Sequence, residues 1–356
     1  MKKTWVVVLA CILAVIVIAG CNKSTAGGKT IVGLSMPTKE QPIWAAYGGR
    51  LDEAFQGAGY ATILEFAEDV PERQIAQLEN MITRGAKYLV IAAVDTYALT
   101  DICQKAREGG IKVISCDRLI MNTKDLDYYV TFDLVRMGEI QGEAIERGLG
   151  LKDGAKGPFT LEIFSGSPDD SNSVPFYQGA MNILKKYLDN GTIVVRSGQV
   201  DLNVNGILKW DSALAQSRMD NILGAYYTNV KLDSVLAAAD CLSIGIISSL
   251  DSFGYGKSPT LPFPIVTGQD CEPTAIKAIM SNQQYMTVFL DPVVLAAKML
   301  ELVNAMANGT PIKPDHTYNN DAFDVPTILY DPVLIDKSNY QLLIERGFFT
   351  KEDLDF

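Results

Sequence analysis

The sequence predicts an α/β protein built on two parallel sheets, and three observations carry that expectation. Apolar runs of strand length are continuous and rich in Val and Ile rather than alternating, as in parallel strands buried on both faces. Segments of helical period separate them, which is the order of βαβ units. The same plan then occurs again in the latter half of the chain, and the length suits two domains with a core each.

In chain order, Lys2 and Lys3 precede an apolar run over 5–19 that ends in Ile18-Ala19-Gly20-Cys21, a lipobox. The run is shorter than the roughly 20 residues that a bilayer core demands of a helix. Residues 1–20 are therefore expected to be a signal removed ahead of an acylated Cys21, with an uncleaved membrane anchor as the alternative. Either way the body is exported and tethered, and the polar segment 21–29 reads as a flexible tether. Strands are expected over 30–36, 61–66, 87–93, 111–116 and 128–132. A helix over 71–84 carries Ile75, Leu78 and Ile82 on one face, with Pro71 near its start and Gly85 past its end. A second, over 96–108, is closed by Gly109-Gly110. The later set has strands at 159–165, 192–197, 234–239 and 264–267, separated by helices at 175–188, 211–226 and 242–253. A strand at 285–290, a helix at 292–308, a strand at 323–329 and a short helix at 339–346 complete the chain, and periodicity does not say which sheet they join.

Composition excludes several functions. The net charge of −11 becomes more negative once Lys2 and Lys3 leave, the opposite of the basic footprint that neutralises phosphates, so nucleic acid is not an expected partner. Beyond Cys11 and Cys21, the cysteines are Cys103, Cys116, Cys241 and Cys271, with no Cys-x-x-Cys pair and no metal-ligand spacing. Cys241 and Cys271 follow Asp240 and Asp270 at strand ends, leaving open a disulfide or two buried free thiols. The single histidine, His316, lies in a polar stretch that reads as an exposed loop; neither a Ser-His-Asp triad nor a multi-histidine zinc site can be built around it. No Gly-x-Gly-x-x-Gly follows the first strand, and no glycine-rich segment carries the Lys-Ser/Thr of a phosphate loop. No cofactor is expected.

In open parallel sheets ligands bind beyond the carboxyl ends of the strands. Those ends carry Lys39, Asp95, Asp117-Arg118 and Asp133 in the first half, then Asp169, Asp170 and Asn172, Asp240, and Gln269-Asp270 in the second. A single Asp there is an ordinary helix N-cap. A whole series with Arg118 and Asn172 suits hydroxyl groups, which donate and accept, through charge-assisted bonds of roughly 1.5–3 kcal/mol each. Trp44, Phe176 and Trp210 are candidates to cover the C–H faces of a pyranose, although each alone is an ordinary packing residue.

Larger blocks of sequence carry a resemblance. They are Ser35-Met36-Pro37-Thr38-Lys39, Gln77-Leu78-Glu79-Asn80-Met81, Asp117-Arg118-Leu119-Ile120, Gly166-Ser167-Pro168-Asp169-Asp170, Ala225-Tyr226-Tyr227, the run over 242–250 and Gly268-Gln269-Asp270. With these blocks, residues 30–345 resemble the multiple-monosaccharide-binding proteins of ABC sugar importers, with xylose- and ribose-binding proteins as more distant relatives. The resemblance implies a type I periplasmic-binding fold, two Rossmann-like lobes joined by a three-stranded hinge. It assigns 30–132 and 273–309 to the first lobe and 133–272 and 310–356 to the second. Carried onto matching positions, the implied sugar contacts are Lys39, Trp44, Asp95, Asp117, Arg118, Asn172, Phe176, Asp240 and Asp270, followed by Asp169, Asp170, Gln199 and Trp210. It implies no catalysis and a membrane permease as partner, while the lipobox implies a lipid bilayer reached through Cys21; presentation of bound sugar to a chemosensory receptor is compatible with transport. Cys116, Leu134 and Leu290 stand where the family commonly has an aromatic residue, Asn and Lys, so Leu290 is expected to retune sugar preference if it faces the cleft.

Three other readings share parts of this pattern. A repressor of the lactose-repressor type would need a helix-turn-helix before residue 30, where the lipobox stands. A glycosidase would need Asp169 and Asp170 to face each other across one bond at roughly 5–9 Å, which adjacent loop residues rarely do. A nucleoside- or autoinducer-binding lipoprotein of the same fold is the third.

Overall fold

The computed structural model describes residues 28–354, so the expected signal at 1–20 and the acylated Cys21 lie outside the described residues. Strand β1 (Ile31–Met36) runs parallel between β2 (Ala61–Phe66) and β3 (Tyr88–Ile91), and β4 (Lys112–Cys116) and β5 (Tyr128–Phe132) extend the sheet beyond β3. The central strands are apolar on both faces because helices cover both. Helix α1 (Pro42–Gly57) starts at a proline and buries Ile43, Tyr47, Leu51 and Phe55, one stripe at i, i+4 spacing. Helices α2 (Pro71–Thr83) and α3 (Thr100–Glu108) follow β2 and β3 as expected.

The second set repeats the plan on a smaller scale. Its sheet has the order β7-β6-β8-β9, with β6 (Phe159–Phe164), β7 (Ile193–Val194), β8 (Ser234–Ala237) and β9 (Ile265–Val266) all parallel. Its helices include α4 (Leu134–Gly148), α5 (Ser173–Asp189), α6 (Leu202–Asn205), α7 (Ser212–Tyr226), α8 (Asp240–Ser252) and α9 (Pro273–Met280). Helix α4 was not anticipated from the sequence. Asp133, read there as a strand-end carboxylate, is its N-cap and accepts from the Arg136 amide at 2.9 Å.

The expected lobe boundaries need correction. Strands β11 (His316–Asn319) and β12 (Asp324–Tyr330) extend the first sheet beside β5, giving the seven-stranded order β11-β12-β5-β4-β3-β1-β2. Residues 316–330 therefore do not group with the second sheet, and His316 lies on an exposed edge strand rather than in a loop. Conversely α9 packs on α8, and the segment before β10 (Thr287–Phe289) joins β9 through the Tyr285 amide and the Val266 carbonyl at 2.9 Å, so 273–289 lies with the second sheet. Helix α10 (Pro292–Asn308) packs on α1, while β13 (Val333–Ile335) pairs antiparallel with β10 and α11 (Gln341–Glu345) follows it. The chain thus passes between the two sets at 132–134, 289–292 and 330–333, and the Asp133 amide meets the Tyr330 carbonyl at 3.3 Å to tie two of these passages together. Hydrophobic pattern reveals that 324–330 is a strand; only the open edge of β5 decides where it goes.

Leu290, at one of these passages, is 1% exposed within the largest buried apolar cluster and does not line the cleft described below. Its proposed role in sugar preference is replaced by packing. Leu290→Lys would bury an unpaired ammonium, so we expect the variant to melt far below wild type or fail to fold, by circular dichroism, rather than to change ligand ranking.

Helices α4 and α5 meet backbone to backbone. A Cβ at Gly179 would lie 2.0 Å from the Val135 carbonyl oxygen, and one at Gly138 would lie 2.0 Å from that of Phe176. This contact sets where the first turn of α5, with Phe176, stands. Gly179→Ala should separate the helices at a cost of about 1–3 kcal/mol, seen as a lower denaturation midpoint with an unchanged m-value.

Candidate functional site

The carboxyl ends of both sheets face one cleft, lined by residues from both sides. From the first sheet, the β1–α1 loop and the start of α1 contribute Gln41, Ile43 and Trp44, and the end of β4 contributes Asp117 and Arg118. The second sheet supplies Asp170, Asn172 and Phe176 after β6, Ala239 and Cys241 after β8, and Gln269 and Asp270 after β9; Trp210 lies between α6 and α7.

Arg118 organises this wall. Its Nη1 donates to the carbonyls of Ala93 at 3.0 Å and Val94 at 3.3 Å, its Nε meets Asp170 Oδ2 at 2.8 Å, and its guanidinium lies 4.9 Å from the ring centroid of Trp44. Asp170 also accepts from Trp210 Nε1 at 3.1 Å and from the Asn172 amide at 2.9 Å. Trp210 in turn packs on Gly166, where any Cβ would lie 2.3 Å from the indole. Trp44 is held by its Nε1, which donates to Gln41 Oε1 at 2.9 Å.

Asp117 sits at φ +63° and Asp270 at φ +92°, left-handed conformations that turn each chain sharply at the cleft. For Asp117 the turn is held by its carbonyl, which accepts from Tyr129 Oη, from Thr131 Oγ1 at 3.1 Å and from Asn172 Nδ2 at 3.0 Å. The rims of the two halves also meet: Thr96 donates its amide and hydroxyl to the Asp169 carbonyl at 3.2 and 3.0 Å, and Ser171 Oγ donates to the Leu119 carbonyl at 3.0 Å.

Burial raises the carboxylates of this cleft. Asp117 is pushed up to about 8 by desolvation, reinforced by Asp170 and opposed by Arg118. Asp270 is pushed up to about 6 by desolvation, against the Gln269 hydrogen bond and Arg118. Gln269 Nε2 donates to Asp270 Oδ1 at 3.0 Å, while Gln269 Oε1 is buried without a partner. The cleft therefore holds desolvated acceptors suited to hydroxyl donors.

Of the residues singled out from sequence, Trp44, Asp117, Arg118, Asp170, Asn172, Phe176, Trp210 and Asp270 come together here. Lys39 is exposed, with Nζ 4.8 Å from the Phe66 ring centroid, and Asp95 accepts from the Tyr97 amide at 2.8 Å; neither lines the cleft. Asp169 lies on the rim and accepts from Ser167 Oγ, and Gln199 Oε1 is occupied by Arg218 at 2.7 and 3.1 Å. Asp240 is wholly buried behind the lining, accepting from Gln284 Nε2 at 2.7 Å, Thr287 Oγ1 at 2.8 Å and the Glu272 amide at 3.0 Å. Strand-end position did not distinguish a side chain aimed outward from one turned back to brace its own loop. Gln41, Ile43, Ala239, Cys241 and Gln269 line the cleft without having been assigned to it, although Gln269 stood beside Asp270, and Ala239 and Cys241 beside Asp240, at strand ends. The four described cysteines are free thiols, three of them buried, with Cys241 partly exposed. Among the described residues no group of three or more His, Cys, Asp or Glu is placed to hold a metal ion.

The model of the periplasmic binding protein domain family matches residues 32–311. The chain belongs to this family. As a periplasmic binding protein it is 48% identical over 332 residues to the multiple sugar-binding periplasmic receptor ChvE of Rhizobium radiobacter, covering 92% of this chain and 93% of the relative. It is 33% identical over 300 residues to the D-xylose-binding periplasmic protein of Escherichia coli K12, covering 84% of each. Among solved structures it matches an ABC transporter solute-binding protein of Clostridium phytofermentans with bound β-D-glucose, with a TM-score of 0.87 and 39% identity over 92% of this chain and 100% of that one. Periplasmic binding proteins of this group have the two-sheet architecture seen here, and the protein acts outside the cytoplasm. No helix among the described residues is long and apolar enough to cross a membrane.

The raised Asp117 carboxyl has a pH consequence. Its folded value of about 8 lies above the ordinary ~3.9, so between these values the folded protein binds a proton that the unfolded chain releases. Ligand-free stability therefore falls as pH rises from 5 to 8. Thermal melts across that range should show a falling Tm, with a shallower slope in Asp117→Asn; an equal slope in both would contradict the assignment.

Proposed function

We propose that this periplasmic binding protein captures an aldose in the cleft and delivers it to the permease of an ABC importer. The observation that carries the reading is the Arg118–Asp170 pair, 2.8 Å apart and buried in a cleft that also holds Asp117, Asn172, Gln269 and Asp270. Sugar hydroxyls both donate and accept, so carboxylates, amides and a guanidinium can each satisfy one. Trp44, Phe176 and Trp210 offer ring surface for the C–H faces. Relatives named as sugar-binding and xylose-binding, and a structural neighbour holding glucose, support the ligand class. The lipobox supports a chain tethered to the membrane through acylated Cys21, within reach of a permease or a sensory receptor.

Binding without catalysis fits the same geometry. Asp170 is held by Arg118 and Trp210, and Asp169 by Ser167 on the rim, so the two do not form an acid–base pair across a shared bond.

Calorimetric titration of the mature chain with glucose, galactose, xylose, arabinose and ribose tests the reading; no heat with any aldose would overturn it. Arg118→Ala removes donors from the ligand and from Asp170, Ala93 and Val94, at about 1–3 kcal/mol per orphaned group. Its affinity should fall by about two orders of magnitude with the circular dichroism spectrum retained.

A further inference from the structure

The cleft is not polar all round. Ile43 and Ala239 line it with hydrocarbon and Cys241 with a thiol, a weak hydrogen-bonding group. The remaining lining consists of aromatic rings or of charged and amide side chains. Cys241 is the second residue of α8, directly after the buried brace Asp240, so its backbone is anchored by the three bonds that Asp240 accepts. A thiol in a cleft is not a ligand contact by itself. A second, independent group points to one: Gln269 is 6% exposed, lines the same cleft and leaves its Oε1 without a partner. That acceptor and the neighbouring carboxylates call for hydroxyl donors, whereas Ala239 and Cys241, on either side of Asp240 where α8 begins, call for an edge of the ligand that has none.

An aldopyranose has one such edge. Carbons 1 to 4 each bear a hydroxyl, and an aldopentose bears only hydrogens at carbon 5, where an aldohexose bears a hydroxymethyl group. We infer that Cys241 is a specificity-determining residue, packing against carbon 5 of the bound ring and occupying space that the hydroxymethyl group of an aldohexose needs. The inference rests on the aldose reading above. A hydroxymethyl group placed against this surface would be crowded by the sulfur and poorly hydrogen-bonded, so a pentopyranose binds more tightly than the hexopyranose that differs from it only there.

The experiment uses two such pairs, D-xylose with D-glucose and L-arabinose with D-galactose, titrated calorimetrically into wild type, Cys241→Ala and Cys241→Gly. Wild type is expected to favour the pentose of each pair. Both variants are expected to raise the hexose-to-pentose affinity ratio, by about tenfold for glycine, the size of effect that one methylene-sized group produces in a closed pocket. Alkylation of the wild-type thiol by N-ethylmaleimide, followed by mass spectrometry, supplies a readout that does not depend on the variants folding: saturating xylose should protect Cys241. Binding of both sugars with a ratio unchanged in folded variants, or full alkylation in saturating xylose, overturns the inference and leaves the aldose reading standing. Absence of binding by all four sugars and by ribose overturns both.

Discussion

The site depends on a buried guanidinium. Arg118 is 6% exposed, and a charge removed from water to that degree persists only where partners replace its hydration. Here two backbone carbonyls of the first sheet's side, at Ala93 and Val94, supply one end and Asp170 of the second side supplies the other. The ion pair is therefore also a joint between the halves. Trp44 stacks on it, Trp210 donates to its carboxylate, and the Asn172 amide completes the same carboxylate, so four of the lining residues take their positions from one interaction.

Rigid packing further out holds that joint in register. The backbone contact of α4 and α5 at Gly138 and Gly179 places Phe176, and the contact of Trp210 with Gly166 places the indole. Asp240, at the floor of the second half, is spent on bracing Gln284, Thr287 and the Glu272 amide, which keeps the loop before α9 fixed while Gln269 and Asp270 face the cleft. Side chains locked by such contacts need little reordering when a ligand arrives, the condition under which hydrogen bonds to hydroxyls contribute most of their strength.

Gathering carboxylates in this way has an energetic consequence for the ligand-free protein. Asp117, Asp170 and Asp270 are all desolvated and all raised, and only Arg118 among the cleft's lining residues offsets them with positive charge. Hydroxyl donors from a ligand would relieve that strain by solvating the charged form. Affinity and ligand-free stability are thus opposed in the same residues, as is common where a site is held ready in advance. At the three passages between the sheets Phe132, Leu134, Leu290 and Tyr330 are buried in one apolar cluster, so the crossings are packed against each other on their apolar side.

Much of this was legible in the sequence, because parallel strands, their helices and the polar groups at their ends follow from hydrophobic period and local turn chemistry. The two sheets, the cleft at their carboxyl ends and the strand-end residues Asp117, Arg118, Asp170, Asn172 and Asp270 were visible that way, whereas Trp44, Phe176 and Trp210 were assigned to it by the family resemblance. Tertiary structure decided the rest. Whether 316–330 extends the first sheet or the second depends on which edge is free, a property of the assembled sheet and not of the segment. Whether a strand-end Asp faces the cleft, as Asp117 and Asp270 do, or turns inward, as Asp240 does, depends on donors such as Gln284 and Thr287 that lie more than forty residues away along the chain. Local sequence specifies that a carboxylate stands at a strand end; long-range packing specifies which way it points.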